Sequence, residues 1–261
     1  MFELIVSTLF FLFGSAIGSF VQVVVSRLNV APLVSSRSKC LSCGEALRIS
    51  DLLPILSYVF LGGKCRYCKV PYGIGTLVVE VAFGCLFVLL YHFILAGFSP
   101  LLGALWLLYY TLLFISLGTM ALYDYKHSYV PVLFLVLFSF LSLCMLGVNY
   151  YHQPGIAALL GPLVVSLPFL VIWMLTQGKA LGFGDVVLYM AVGAFFSIEQ
   201  GLAVLLVSVW LGASVGIVVY ALRRRAKNTS TSIPFVPFIV TAFLIVLFTD
   251  MSVFSIASLF S

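Results

Sequence analysis

At 261 residues the chain is long enough for one or two soluble domains, but 63% hydrophobic residues against 8% charged ones, with a mean hydropathy of +1.24, exclude an ordinary soluble globule and indicate a polytopic membrane protein. The formal charge of +5 is concentrated, since residues 27–72 carry seven of the thirteen Lys and Arg and two of the eight Asp and Glu, while the rest of the chain nets to zero. Nucleic-acid binding needs a basic face on a folded domain, which one short loop does not supply, so the expected partner is the lipid bilayer and no nucleic acid.

A spanning helix needs about 20 mostly apolar residues. The first run, roughly 3–25, has no charged segment ahead of it and no A-x-A-like site, so it is expected to remain as a membrane span rather than be removed as a signal. Further runs follow at roughly 76–97, 101–123, 130–148, 156–176, 183–198, 201–222 and 233–250, which predicts an all-α protein of about eight transmembrane helices. With that number, both termini fall on one side and the loops 26–75, 124–129, 177–182 and 223–232 on the other. Those four loops hold every Lys and Arg in the chain, from Arg27 to Lys227, so they are expected in the cytoplasm and both termini outside. The expected division is helix 1 over 1–25, a cytoplasmic loop domain over 26–75, and a core of seven helices over 76–261. In the sixth run only Val186–Ser197 is cleanly apolar, about 18 Å of helix against a hydrocarbon core of about 30 Å. That helix is expected to draw Gly182, Gly184 and Asp185 in from its N-terminal side, where an ionised carboxylate is costly and usually functional.

Two constellations carry chemistry. Asp124, in Leu122-Tyr123-Asp124-Tyr125-Lys126, and Asp185, in Gly182-Phe183-Gly184-Asp185, both fall at helix ends on the same predicted side, so they can share a depth. Two carboxylates sharing a proton are water-activating machinery: the ionised one takes a proton from water and the protonated one polarises the scissile carbonyl. Gly182 and Gly184 would let a substrate strand approach the backbone closely. The plainer reading has Asp124 paired with Lys126 and Asp185 capping a helix. Paired intramembrane carboxylates also relay protons, so a proton-coupled transporter is the alternative from another class.

The second constellation is Cys40-Leu41-Ser42-Cys43 and Cys65-Arg66-Tyr67-Cys68, two C-x-x-C pairs 21 residues apart. This spacing suits a four-thiolate, zinc-ribbon-like loop in which Cys40, Cys43, Cys65 and Cys68 hold a structural zinc ion; a redox dithiol and unrelated free thiols are the alternatives. Cys85 and Cys144 fall in apolar spans and are expected to pack. Glu80 is open to three roles, bonding the loop, binding substrate or capping, with the structural one preferred. Arg223–Arg225 and Lys227 are expected to anchor topology, and His127 is given no catalytic part.

These residues resemble the prepilin peptidases, also called type IV leader peptidases, of the G-x-G-D membrane aspartic proteases. The similarity runs nearly end to end: Gly18-Ser19-Phe20-Val21-Gln22-Val23, Arg27-Leu28, Cys40 through Gly44, Pro54-Ile55-Leu56-Ser57-Tyr58, Gly63 through Cys68, Tyr72, Glu80, Asp124 with Pro131, Gly182 through Asp185, and Ile233-Pro234-Phe235-Val236-Pro237-Phe238. The resemblance implies a bacterial plasma-membrane enzyme with its active site at the cytoplasmic face. It would remove the short basic leader of prepilin or pseudopilin precursors of pilus or type II secretion systems, cutting after a glycine ahead of a hydrophobic helix, with Asp124 and Asp185 catalytic. Many members then methylate the new N-terminus with S-adenosylmethionine, an activity the resemblance associates with the 26–75 region; a peptidase without it is the alternative within the family. Gln22, Leu52, Val187 and Val236 stand where the family usually has Asn, Asn, Lys and Gly, the first two in the region associated with methyl transfer.

Overall fold

The computed structural model describes residues 1–28, 38–40, 42–179, 181–224 and 234–258. Arg37, Leu41, Arg225, Lys227 and Ile233 therefore lie outside the described residues. The chain is nearly all helix: α1 Phe2–Arg27, α2 Leu56–Leu61, α3 Gly75–Leu90 continued by a π turn Tyr91–Leu95, α4 Pro100–His127, α5 Val132–His152, α6 Ile156–Thr176, α7 Phe183–Phe195, α8 Ile198–Arg224, α9 Val236–Thr249 and α10 Val253–Ala257. Among the described residues there is no sheet, only two isolated antiparallel bridges in the loop after α1.

Among the described residues, six helices are long and apolar enough to cross a membrane: α1, α3 with its π turn, α4, α5, α6 and α8. The other two predicted spans are shorter, with 13 residues in α7 and 14 in α9. The reason for their brevity is burial. α7 packs on both α5 and α6 and buries Val186, Leu188, Tyr189 and the run Ala191–Phe195, while α9 packs on α8 and buries Val236, Ile239, Val240, Ala242, Phe243 and Val246. A helix walled by protein need not match the lipid thickness that an exposed one must span. The lipid-exposed helices show the converse pattern, with Leu159, Leu163, Leu167 and Val171 of α6 on the outside.

The chain divides into two compact units, Met1–Ile115 and Ser116–Ser261. In the first, α1 packs along α3. Small residues make this possible: a Cβ at Gly18 would lie 2.9 Å from the Phe83 Cβ, and one at Gly84 would lie 2.7 Å from the Ser15 Oγ. In the second unit, α6 and α7 cross with Gly161 against Gly193, where a Cβ on Gly161 would stand 2.5 Å from the Gly193 carbonyl oxygen. This backbone-on-backbone crossing fixes the position of α7, which carries Asp185 at its other end. α7 is also tied by Tyr189, whose hydroxyl is 2.6 Å from the Ser208 hydroxyl in the buried interior.

Candidate active site and metal centre

α4 continues through His127, so Asp124 lies on the helix and not in the connection that follows it. The helix stops where Ser128 turns to φ +51 and donates its N–H to the Asp124 carbonyl at 2.7 Å, with Pro131 unable to continue the ladder. Asp124 and Lys126 are two positions apart on one helix and so point to different faces, which removes the pairing that the plainer reading required. Asp124 is only 6% exposed. Its Oδ2 accepts the Val236 N–H at 3.1 Å. Val236 opens α9, and the first N–H groups of a helix have no intrahelical acceptor, so the start of α9 presents a donor to the carboxylate.

Asp185 lies in the first turn of α7, with its N–H donated to the carbonyl of the N-cap Gly182 at 3.2 Å. The helix therefore takes in Gly184 and Asp185 as the short apolar run predicts, while Gly182 stays outside it as the N-cap. Asp124 and Asp185 both line one cavity of about 930 Å³. Gly182 and Gly184 line it too. A Cβ on either would meet nothing closer than 3.5 Å, so the protein's own packing does not demand glycine there. The far wall is a stripe along α5: Val132, Leu135, Val136, Ser139, Phe140 and Leu143, at helical spacings of three and four. It extends about 16 Å along the helix from the carboxylates. Val187 also lines this cavity, whereas the His127 ring lies tilted against Tyr123, centroids 4.5 Å apart, and is not part of the wall.

The cysteines converge as well. The Sγ atoms of Cys40, Cys43, Cys65 and Cys68 all lie within 4.8 Å of one another, and the Cys40–Cys68 separation is 3.8 Å. A tetrahedron with metal–sulfur bonds of about 2.3 Å has edges of about 3.8 Å, so the donor set fits zinc. Each pair sits on the same turn. The Cys40 N–H bonds the Glu45 carbonyl and the Gly44 N–H bonds the Cys40 carbonyl; 25 residues on, Cys65 pairs with Val70, and Lys69 with Cys65. Both turns need a left-handed residue, Gly44 at φ +72 and Lys69 at φ +59. Backbone N–H groups of Cys43 and Ser42 hold the Cys40 thiol down at about 6. At Cys43 the Glu45 N–H also lowers it, but burial and the neighbouring Cys40 and Cys68 sulfurs outweigh this and push it up to about 11. One thiolate thus hinders the next, the conflict a bound dication relieves. Cys85 and Cys144 are exposed on helix faces rather than packed inside.

Glu80, on α3, is 8% exposed and its Oε2 accepts the Ile55 N–H at 2.7 Å, so it bonds the loop. Two features had no prediction. Asp51 accepts the Arg66 guanidinium at 2.7 Å and the Arg48 N–H at 3.1 Å, closing the loop on itself. The Val236 N–H on Asp124 is the other; Pro234 and Pro237 were its signal, since proline marks a helix start where N–H groups are free.

Residues 12–94 match the Bacterial Peptidase A24 N-terminal domain family, and residues 111–217 match the Type IV leader peptidase family. Several relatives carry the description prepilin leader peptidase/N-methyltransferase. That of Pseudomonas aeruginosa is 30% identical over 88% of this chain and 86% of its own length, and that of Burkholderia pseudomallei (strain K96243) 31% over 87% and 80%. That of Myxococcus xanthus is 32% identical over 83% of this chain, a match spanning 64% of the relative's length. No solved structure matches the chain.

Proposed function

The chain belongs to the type IV leader peptidase family, and on that premise we propose that it cleaves prepilin-like precursors with Asp124 and Asp185 as a water-activating pair. The observation that carries the proposal is the convergence of both carboxylates on one cavity from α4 and α7. The pair holds one proton between them. The ionised carboxylate takes a proton from a water as its oxygen attacks the scissile carbonyl, and the protonated one donates a hydrogen bond to the carbonyl oxygen. Collapse of the tetrahedral adduct breaks the C–N bond, the amine leaves with a proton from the pair, and the leader departs with a new carboxylate. The Val236 N–H orients Asp124, and the trough along α5 supplies an apolar path leading away from the carboxylates.

The gathering of basic residues in the loops around this site supports a cytoplasmic active face. Cys40, Cys43, Cys65 and Cys68 hold zinc; four thiolates leave no open coordination position, so the ion supplies structure to a loop too short to build its own core. The new N-terminal amine is then methylated from S-adenosylmethionine, a reading supported by the N-methyltransferase half of the relatives' description. The test is cleavage of a purified precursor in detergent by folded Asp124→Asn and Asp185→Asn proteins. Each is expected to lose more than about a thousandfold in rate; cleavage retained by either refutes its assignment.

A further inference from the structure

We infer that α2 is an interfacial membrane helix, with Leu56, Val59 and Phe60 set among lipid acyl chains, so that the cysteine loop meets the bilayer at a third point besides α1 and α3. The six residues of α2 divide between two faces. Ser57, Tyr58 and Leu61 line a cavity of about 460 Å³ that Ser19 of α1 and Glu80 of α3 also line. Leu56, Val59 and Phe60, at helical spacings of three and four, form the other face and are 48%, 65% and 83% exposed. All three are apolar, and Leu53 just ahead of the helix is exposed as well. A surface in contact with water rarely keeps a contiguous apolar face of this kind.

The depth of α2 identifies what covers that face. α3 with its π turn has 21 residues, about 31 Å of helix against a hydrocarbon core of about 30 Å. Little of it can stand outside the bilayer, so Glu80, five positions on from Gly75, lies about 7 Å below its start. The Glu80 Oε2 takes the Ile55 N–H at 2.7 Å, which fixes the beginning of α2 at that level. The bond holds a strained turn: Ile55, a β-branched residue, sits at φ 62 and ψ −52, closed by the Leu56 N–H on the Pro54 carbonyl at 2.6 Å. On the α1 side, Ser19 lies eight residues before Arg27, about 12 Å along the helix. α2 therefore sits beside the membrane-crossing helices and not above them, at the level of the exposed Ile74, Val78 and Val81 at the start of α3. About 7 Å is also the depth at which an interfacial helix rests its apolar face. Charge agrees with lipid as the partner, since Lys64 and Lys69 follow α2, are exposed, and can reach lipid phosphates from apolar stems. Cys65 follows α2 by four residues, so the bilayer as well as the metal orders this part of the loop.

The test is tryptophan fluorescence of the full-length, zinc-loaded protein in bilayer discs of phosphatidylcholine and phosphatidylglycerol, with and without bromine on the acyl chains. Phe60→Trp and Val59→Trp place the probe on the exposed face of α2, where no packing is lost. Glu45→Trp, on the first cysteine turn, is the reference for water, because an exposed carboxylate does not settle in hydrocarbon. The reading is the emission added to that of the three native tryptophans. Brominated lipid is expected to reduce the added emission of the two α2 probes by more than about twofold and to leave the reference unchanged, while acrylamide in the water does the reverse. Metal content and melting temperature near wild type show that each variant is folded. Acrylamide quenching of both α2 probes to the extent of the reference, with no effect of bromine, overturns the inference. Protection of both from either quencher overturns it too, since that result means that protein covers the face, from a second copy or from elsewhere in the chain.

Discussion

The crossing of α6 and α7 positions half of the proposed catalytic pair, and Gly161→Ala perturbs it with a single methyl group. A Cβ at Gly161 would stand 2.5 Å from the Gly193 carbonyl oxygen, about 1 Å inside ordinary contact, and both partners are helix backbone with no rotamer to yield. The helices must therefore separate, at an overpacking cost of about 1–3 kcal/mol. By the scaling for chains of this size, that is a fall in melting temperature of roughly 2–12 °C. Asp185 lies about 12 Å along α7 from the crossing, and a displacement near 1 Å at a reacting group costs up to about a hundredfold in rate. Detergent melting and the initial rate of precursor cleavage measure the two effects. Gly147→Ala is the control, because a Cβ there meets nothing within 4 Å. Should Gly161→Ala melt and cleave as wild type does, the rigid crossing does not position Asp185.

Removal of zinc with a strong chelator is expected to lower the melting temperature and to release about one equivalent of metal per chain, with recovery on adding zinc and no effect of Cys85→Ser; an unchanged melt after complete metal release contradicts a structural centre. Lys69→Gly removes a left-handed non-glycine residue from the second knuckle and is expected to raise loop stability by about 1 kcal/mol, read as slower metal loss, whereas Gly44→Val should accelerate it. Burial works to raise the Asp51 carboxyl, but the Arg66 guanidinium and the Arg48 N–H hold it below the usual carboxylate range. Its folded value is depressed, so its contribution is present above a pH of about 4 and is lost as pH falls through the folded value. Asp51→Asn should therefore reduce the melting temperature at pH 7 and flatten its decline toward acid; parallel profiles for the two proteins would show that Asp51 is not the group involved.

Much of the helical plan is legible because each lipid-facing segment must be apolar and long, a requirement α1, α5, α6 and α8 meet in full. The interior helices are less so. Nothing local to Phe183–Phe195 says that α5 and α6 enclose it, and that enclosure is what permits 13 residues to suffice. Asp124 is recognisable as a carboxylate at a helix end, but its place inside α4 depends on Ser128 adopting φ +51, which a serine does not announce. The cysteine cluster is readable from spacing because C-x-x-C fixes the turn. The bond from Val236 to Asp124 joins residues 112 apart, and the Glu80 hold on Ile55 joins residues 25 apart; contacts of that kind have no periodic signature. The same holds for the cavity beside the loop, whose walls come from four separate segments.

Mass spectrometry of the N-terminus of a precursor co-expressed with wild type, Asp124→Asn or Asp185→Asn tests the two-carboxylate assignment most directly, since one spectrum reports trimming and methylation together. Wild type is expected to yield the leaderless, methylated chain, and each variant the intact precursor while still accumulating in the membrane. Trimmed precursor from either membrane-inserted variant would contradict the assignment of Asp124 and Asp185 as the water-activating pair.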